Sequence, residues 1–291
     1  MRAQLQMSAY PQGVGRIRTR LSATTPLPCQ TTRQTHTRAR STEDSRIMSR
    51  FYCDLTLAPG LTVALPDAVA RHALSARRLQ VGNAVVLFNG DGAEYAGVLE
   101  NVGGKGASVR LERRLGPERE SPLHVHLAQG ISSGERMDYT LQKAVELGVA
   151  AIQPVLMRRT VVRLSEDKAQ RRRAHWQGVV ISACEQCGRN VLPPVAEIQE
   201  FVAWLPGLNT AALGLKLLLD PGGELCLRDL PPPVSPILLL AGPEGGFDPA
   251  ERKLALAAGF RGLRLGPRVL RTETAALAAL AAMQAVWGDF V

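Results

Sequence analysis

A chain that runs Ile237-Leu238-Leu239-Leu240-Ala241 straight into Gly242-Pro243-Glu244-Gly245-Gly246-Phe247 has few folds open to it. Consecutive apolar residues without alternation make a strand covered on both faces, as in a parallel sheet between helical layers. A glycine-rich turn at the carboxyl end of such a strand is where α/β domains let the backbone approach a ligand. Read alone, the turn also fits a plain strand-to-helix connection. It has neither the Gly-Lys-Ser/Thr of a P-loop nor the G-x-G-x-x-G of a dinucleotide fold.

The same alternation fills residues 122–291. Strands are predicted at 123–128, 152–156, 211–219 and 262–265, and helices at 135–147, 168–184, 248–258 and 272–287. Leu141, Ala144 and Val145 share one face of the first helix, which Gly148 ends. This pattern predicts an α/β domain with a mostly parallel sheet. A second turn, Leu265-Gly266-Pro267-Arg268-Val269-Leu270-Arg271-Thr272-Glu273-Thr274, puts two arginines and the free N–H groups of a helix start at the same sheet edge as the first.

Residues 48–118 read differently. A helix over 69–79 carries Arg71, Arg77 and Arg78, and strands are predicted at 84–88, 94–100 and 107–111. The turns Asn89-Gly90-Asp91-Gly92 and Gly103-Gly104-Lys105-Gly106 separate them, which suggests a small β-barrel. The charged segment 116–122, holding Pro117 and Pro122, is the expected domain boundary.

The formal charge of +9 is unevenly placed. Residues 1–47 hold eight arginines against Glu43 and Asp44, a net +6, and show no apolar periodicity. They are expected to be a disordered extension: an organelle transit peptide, or, the reading preferred, sequence upstream of a start at Met48. The remainder is only mildly basic, so any nucleic-acid reading rests on local arginine clusters such as Arg158-Arg159 and 171–173. No apolar run reaches the roughly 18 residues that cross a bilayer, so no membrane partner is expected. Cys184-Glu-Gln-Cys187 is a C-x-x-C, but no second pair at zinc spacing accompanies it. No metal is therefore expected, and two reduced thiols in a cytoplasmic protein is the preferred reading. Gly130-Ile131-Ser132-Ser133-Gly134 matches the G-x-S-x-G elbow of serine hydrolases. The one histidine downstream, His175, comes too early in the chain for that catalytic order.

Taken together in order and spacing, five segments resemble the RsmE family of bacterial 16S rRNA uridine N3-methyltransferases, within the SPOUT superfamily. They are 130–149, 158–162, Cys184 to Asn190 (CEQCGRN), Gly242 to Phe247 (GPEGGF) and Leu265 to Ala275 (LGPRVLRTETA). The resemblance runs from about Phe51 to the C-terminus and leaves residues 1–47 without a counterpart. It implies a trefoil-knotted SPOUT methyltransferase domain at 122–291, preceded by a PUA-like RNA-binding β-barrel at 48–118. It implies a homodimer that acts on 16S rRNA or the 30S subunit and uses S-adenosyl-L-methionine (SAM). The cofactor would lie among Leu219, Gly242, Pro243, Glu244, Gly245, Gly246, Leu265, Gly266, Val269, Leu270 and Thr272. Arg271 and then Arg268 would stabilise the anion formed at the uridine, with Glu244 a conceivable base. Arg71, Arg77, Arg78, Arg136, Arg159 and Arg189 would contact rRNA phosphates. The methyl group would go to N3 of one uridine, number 1498. The readings kept beside this one are a non-catalytic RNA-binding protein of the same fold and the serine hydrolase.

Overall fold

The computed structural model describes residues 48–103, 106–162, 165–208 and 214–290. The expectations for residues 1–47, for the turn tip at 104–105 and for the start of the strand predicted at 211 lie outside them.

The first sheet is built from β1 (Ser49–Tyr52), β2 (Thr62–Ala64), β3 (Ala84–Phe88), β4 (Glu94–Gly103) and β5 (Gly106–Leu115), in the order β1-β3-β4-β5-β2. In β5, Ala107, Val109 and Leu111 are buried with partly or fully exposed residues between them, the period of a strand with one face in a core. Register shifts between Ala96 and Gly97 and between Leu99 and Asn101 bend the long β4–β5 pair. Phe51, Val63, Leu65, Val85, Leu87, Leu99 and Val109 fill the core this sheet encloses. The predicted helix at 69–79 is shorter and irregular: α1 (Asp67–Arg71) continues as a π-helical turn over His72–Ala76. Arg78 then takes a positive φ of 53°.

The second sheet follows the chain through β6 (Val125–Gly130), α2 (Glu135–Glu146), β7 (Ala151–Leu156), α3 (Glu166–Cys187), β8 (Gln199–Glu200), α4 (Phe201–Trp204), β9 (Leu215–Leu219), β10 (Ile237–Ala241), α5 (Pro249–Ala257), β11 (Arg261–Leu263) and α6 (Thr272–Trp287). Its order is β11-β9-β10-β6-β7-β8, and every pair is parallel. Both faces are covered, which is why β10 reads as an unbroken apolar run. Ile237, Leu239 and Ala241 pack with residues of α2, α3 and α6. Leu238 and Leu240 pack on the other side with Phe201, Trp204, Ala255 and Phe260. From β6 the chain moves outward to β7 and β8, and later places β9 and β11 beyond β10, on the other side of β6. This reversal opens a crevice at the carboxyl ends of the central strands.

The two sheets are pinned together by charge. Arg50 on β1 pairs with Glu94 on β4, and donates to the carbonyls of Gly188 (3.2 Å) and Arg189 (3.3 Å) and to Oδ1 of Asn190 (2.6 Å). Arg119 joins from the linker, donating to Glu94 at 3.0 Å and to the Gly188 carbonyl at 3.1 Å. Gly188 caps α3 in the left-handed conformation with φ of 90°, so the carbonyls after it turn toward the first sheet. Arg189 corrects an expectation. It is 7% exposed, and its guanidinium is taken up by Glu120 (2.8 Å) and by the carbonyls of Val145 (3.1 Å) and Val149 (2.8 Å). A buried, fully bonded guanidinium does not reach an RNA phosphate.

Candidate functional site

Five loops leave the carboxyl ends of β6, β7, β9, β10 and β11 at one edge of the sheet, and side chains bind them to one another. Oε1 of Glu244, in the loop after β10, accepts from the Ser133 N–H (2.7 Å), the Ser133 hydroxyl (2.8 Å) and Arg136 Nη1 (3.2 Å), all after β6. Arg159, after β7, donates to the Gly245 carbonyl at 3.1 Å. Asp220, after β9, accepts from Arg252 Nε of α5 at 2.6 Å and from the Gly222 N–H at 2.9 Å. The Asp220 N–H donates to the Leu263 carbonyl at 3.1 Å. The Thr272 hydroxyl, at the start of α6, donates to the Gly242 carbonyl.

These loops enclose a cavity of about 590 Å3, within the roughly 300–1,000 Å3 usual for small-molecule sites. Its walls are apolar at Leu219, Leu263, Leu265, Val269 and Leu270, and backbone at Gly242, Gly246 and Gly266. Of the residues expected around the cofactor, Leu219, Gly242, Pro243, Glu244, Gly246, Leu265, Gly266, Val269, Leu270 and Thr272 line it. Gly245 does not line it. It packs against Arg159, whose Cβ would lie 2.9 Å from a Cβ placed on Gly245. A Cβ on Gly242 would lie 3.2 Å from the Phe247 ring, so a side chain there would have to displace that ring by a few tenths of an ångström.

Charge is concentrated at this cavity. Arg136, Arg159, Arg252, Arg268 and Arg271 line it, with Asp220, Glu244 and Glu273. Arg136 is committed to Glu244, Arg159 to Gly245 and Arg252 to Asp220. Among the described residues Arg268 and Arg271 have no side-chain partner, and both are exposed. Arg271 is the N-cap of α6, so it stands beside the helix N–H groups that favour negative charge. Glu244 is a carboxylate held ionised. Burial raises its pKa, but the bonds from the Ser133 N–H, its own N–H, the Ser133 hydroxyl and Arg136 outweigh that and bring it below the usual carboxylate range. A carboxylate so stabilised is a weak base.

Arg71, Arg77 and Arg78 are exposed on and just after the helical turn of the first sheet's domain, and none of them lines this cavity. The hydrolase reading is overturned by geometry. Ser132 is 1% exposed with its hydroxyl unpartnered, and His175 bonds Asp138 at 2.7 Å on the protein surface. A buried serine without a base is no nucleophile. Among the described residues no group of three His, Cys, Asp or Glu side chains could hold a metal ion, and no helix is long and apolar enough to cross a membrane. Sequence reasoning missed Gln129, Asp220's partner Arg252, and the wall residues Leu263 and Phe247. Gln129 alone left a signal, as the single amide in a strand whose other residues are apolar apart from His126.

Residues 119–284 match the model of the RNA methyltransferase domain family, and residues 65–112 that of the RNA methyltransferase PUA domain. Fold and site thus define an RNA methyltransferase domain with a preceding PUA domain. The chain is 30% identical to a ribosomal RNA small subunit methyltransferase E of Buchnera aphidicola over 241 residues, 83% of this chain and 94% of that one. A structure of the enzyme of that name from Neisseria gonorrhoeae, bound to S-adenosylmethionine, is 44% identical with a TM-score of 0.78, covering 84% of this chain and 100% of that one. A putative methyltransferase from Legionella pneumophila, in complex with SAM, is 40% identical with a TM-score of 0.80, covering 84% of this chain and 99% of that one. The chain belongs to the ribosomal RNA small subunit methyltransferase E family, the RsmE family that its motifs resemble.

Proposed function

We propose that this enzyme, a SAM-dependent rRNA methyltransferase, transfers its methyl group to N3 of a single uridine of 16S rRNA, uridine 1498. The observation that carries this reading is the pair Arg268 and Arg271, the two cavity arginines without a partner among the described residues. The donor set fits SAM: apolar walls for a base, backbone groups of two loops for polar edges, and a volume large enough for the whole cofactor. SAM supplies a methyl group on a sulfonium, an electrophile that needs no further activation.

The chain must supply the rest. N3 of uridine carries a proton and becomes nucleophilic when the proton leaves, which spreads negative charge onto O2 and O4. Arg271 at the N-terminus of α6 stabilises that charge, with Arg268 beside it. Neither can take the proton, because a guanidinium stays protonated at any ordinary pH, so the proton passes to solvent water. The N3–CH3 bond forms as the sulfonium S–CH3 bond breaks, and S-adenosylhomocysteine leaves. Glu244, held ionised by four donors, positions the loop after β6 against the loop after β10. N3 lies on the Watson–Crick edge, so the uridine must be presented unpaired or flipped out. Arg71, Arg77, Arg78, Arg136 and Arg159 are its proposed phosphate contacts.

Residues 48–118 are the RNA-binding domain of this reading and residues 122–291 the catalytic one, knotted as in SPOUT enzymes. The enzyme works in the cytoplasm as a homodimer, with α6 at the subunit interface.

The test is incubation with labelled SAM and 30S subunits from a strain lacking the modification, followed by mass spectrometry of rRNA fragments. Methylation of N3 at one uridine, lost in Arg271→Ala, is the expected result. Label on another base or another RNA removes the substrate assignment. No SAM binding at all would leave a non-catalytic RNA-binding protein.

A further inference from the structure

A primary amide at the centre of a sheet covered on both faces needs a reason, and Gln129 has one in its partners. It is fully buried, in β6 between Ala241 of β10 and Pro154 of β7. Its Nε2 donates to the Gly130 carbonyl (3.0 Å) and the Thr272 hydroxyl (3.0 Å), and the Gly242 carbonyl at 3.4 Å shares one of its two hydrogens. The Thr272 hydroxyl in turn donates to the Gly242 carbonyl. The two carbonyls fix which end of the amide is nitrogen, since only an NH2 group can serve both. Its Oε1 is buried without a partner, so the residue carries a cost that an apolar side chain there would avoid. What it gains is placement: one side chain joins the end of β6, the start of the loop after β10 and the first residue of α6.

That junction sets the cavity. Gly242 begins the loop that forms one wall, and Thr272 begins the helix whose N-cap is Arg271. Gly130 is pressed against the same turn: a Cβ on it would meet Pro243 N at 2.5 Å and Gly242 C at 2.7 Å. The loops have no freedom to slide past one another while the amide bridges them.

We infer that Gln129 is a positioning residue for methyl transfer, locking the loop after β10 to the N-terminus of α6 so that the cofactor walls and Arg271 keep a fixed relation. This rests on the proposed reading of the site. Gln129→Met preserves length and volume and removes the donor. SAM affinity by calorimetry is expected to fall about tenfold, as for one buried hydrogen-bond junction. The kcat for 30S methylation falls at least as much, and the Kd for RNA changes little, because none of the proposed phosphate-contacting arginines bonds Gln129 or Thr272. Thr272→Val opens the same junction from its other end and serves if Gln129→Met fails to fold. The double variant should lose little more than either single one, since both break one connection. Unchanged SAM affinity and kcat in a folded Gln129→Met, or fully additive losses in the double variant, would overturn the positioning role. A wild-type chain that binds no SAM would instead overturn the reading on which it rests.

Discussion

Four donors around one carboxylate decide what Glu244 can do. Its lowered pKa means that it contributes stability above about 4.5, its ordinary value, and that this contribution is lost as pH falls through the lower folded value. Glu244→Gln keeps an acceptor for Ser133 and gives up the charge facing Arg136. Its melting temperature should lie below wild type by about 2–4 °C near pH 7, a cost of about 1 kcal/mol. Measured from pH 7 to pH 3, the gap should close below pH 4.5. A gap that persists in acid would show that the charge is not what Ser133 and Arg136 recognise. The cysteines give the opposite case. Burial pushes the thiols of Cys53 and Cys184 up to about 12, and raises Cys187 as well. Thiolate is then scarce at pH 8, so intact-mass spectrometry after iodoacetamide should find Cys53 and Cys184 unmodified in the native protein and modified in urea. Labelling of Cys184 under native conditions would reopen a redox role for the C-x-x-C.

Glycines within elements separate packing from propensity. At the end of β6, Gly130 has backbone of the 242–243 turn where a Cβ would go, and Gly130→Ala must push that turn away. Such overpacking costs about 1–3 kcal/mol, and here it also displaces a cavity wall. In α3, a Cβ on Gly178 would meet nothing within 4 Å, so Gly178→Ala should stabilise by about 0.5–1 kcal/mol through helix propensity alone. Thermal melts of the two variants should therefore move in opposite directions, with SAM affinity reduced in Gly130→Ala only. At this scale the sequence was legible where a signal is local. The apolar run of β10, the turn that follows it and the full extent of α6 are all read from neighbouring residues. β1 was missed because Ser49–Tyr52 is short and pairs in parallel with β3, across more than thirty residues of chain. The role of Gln129 was missed because its partners, Gly242 and Thr272, are more than a hundred residues away.

The relation between the two sheets was the least legible part, and Arg189 shows why. An arginine in a Cys-Gly-Arg-Asn segment reads as a surface cation, because composition cannot reveal that Glu120 and two α2-end carbonyls surround it. The neighbouring Arg50 is 12% exposed at its side chain, stacks over Phe88 at 5.0 Å, and shares Glu94 with Arg119. Through it, the sheet of the domain that carries Arg71, Arg77 and Arg78 is tied to the segment after α3 in the domain that carries Arg271. On the proposed function, a rigid link would let RNA contacts on the barrel raise the effective concentration of the target uridine at the cavity, and a loose link would forfeit that gain. Arg50→Met keeps the stem's packing and removes the charge. Glu94 retains Arg119, so the cost should be about 3 kcal/mol, the low end for breaking a buried pair. Calorimetry should then show a lower or divided unfolding transition where the wild type shows one. SAM affinity should be unchanged, because none of the cavity loops touches Arg50, while the KM for 30S subunits should rise about tenfold. If Arg50→Met methylates 30S with the wild-type KM, the barrel does not need a fixed orientation, and its arginines act only as a tethered source of charge.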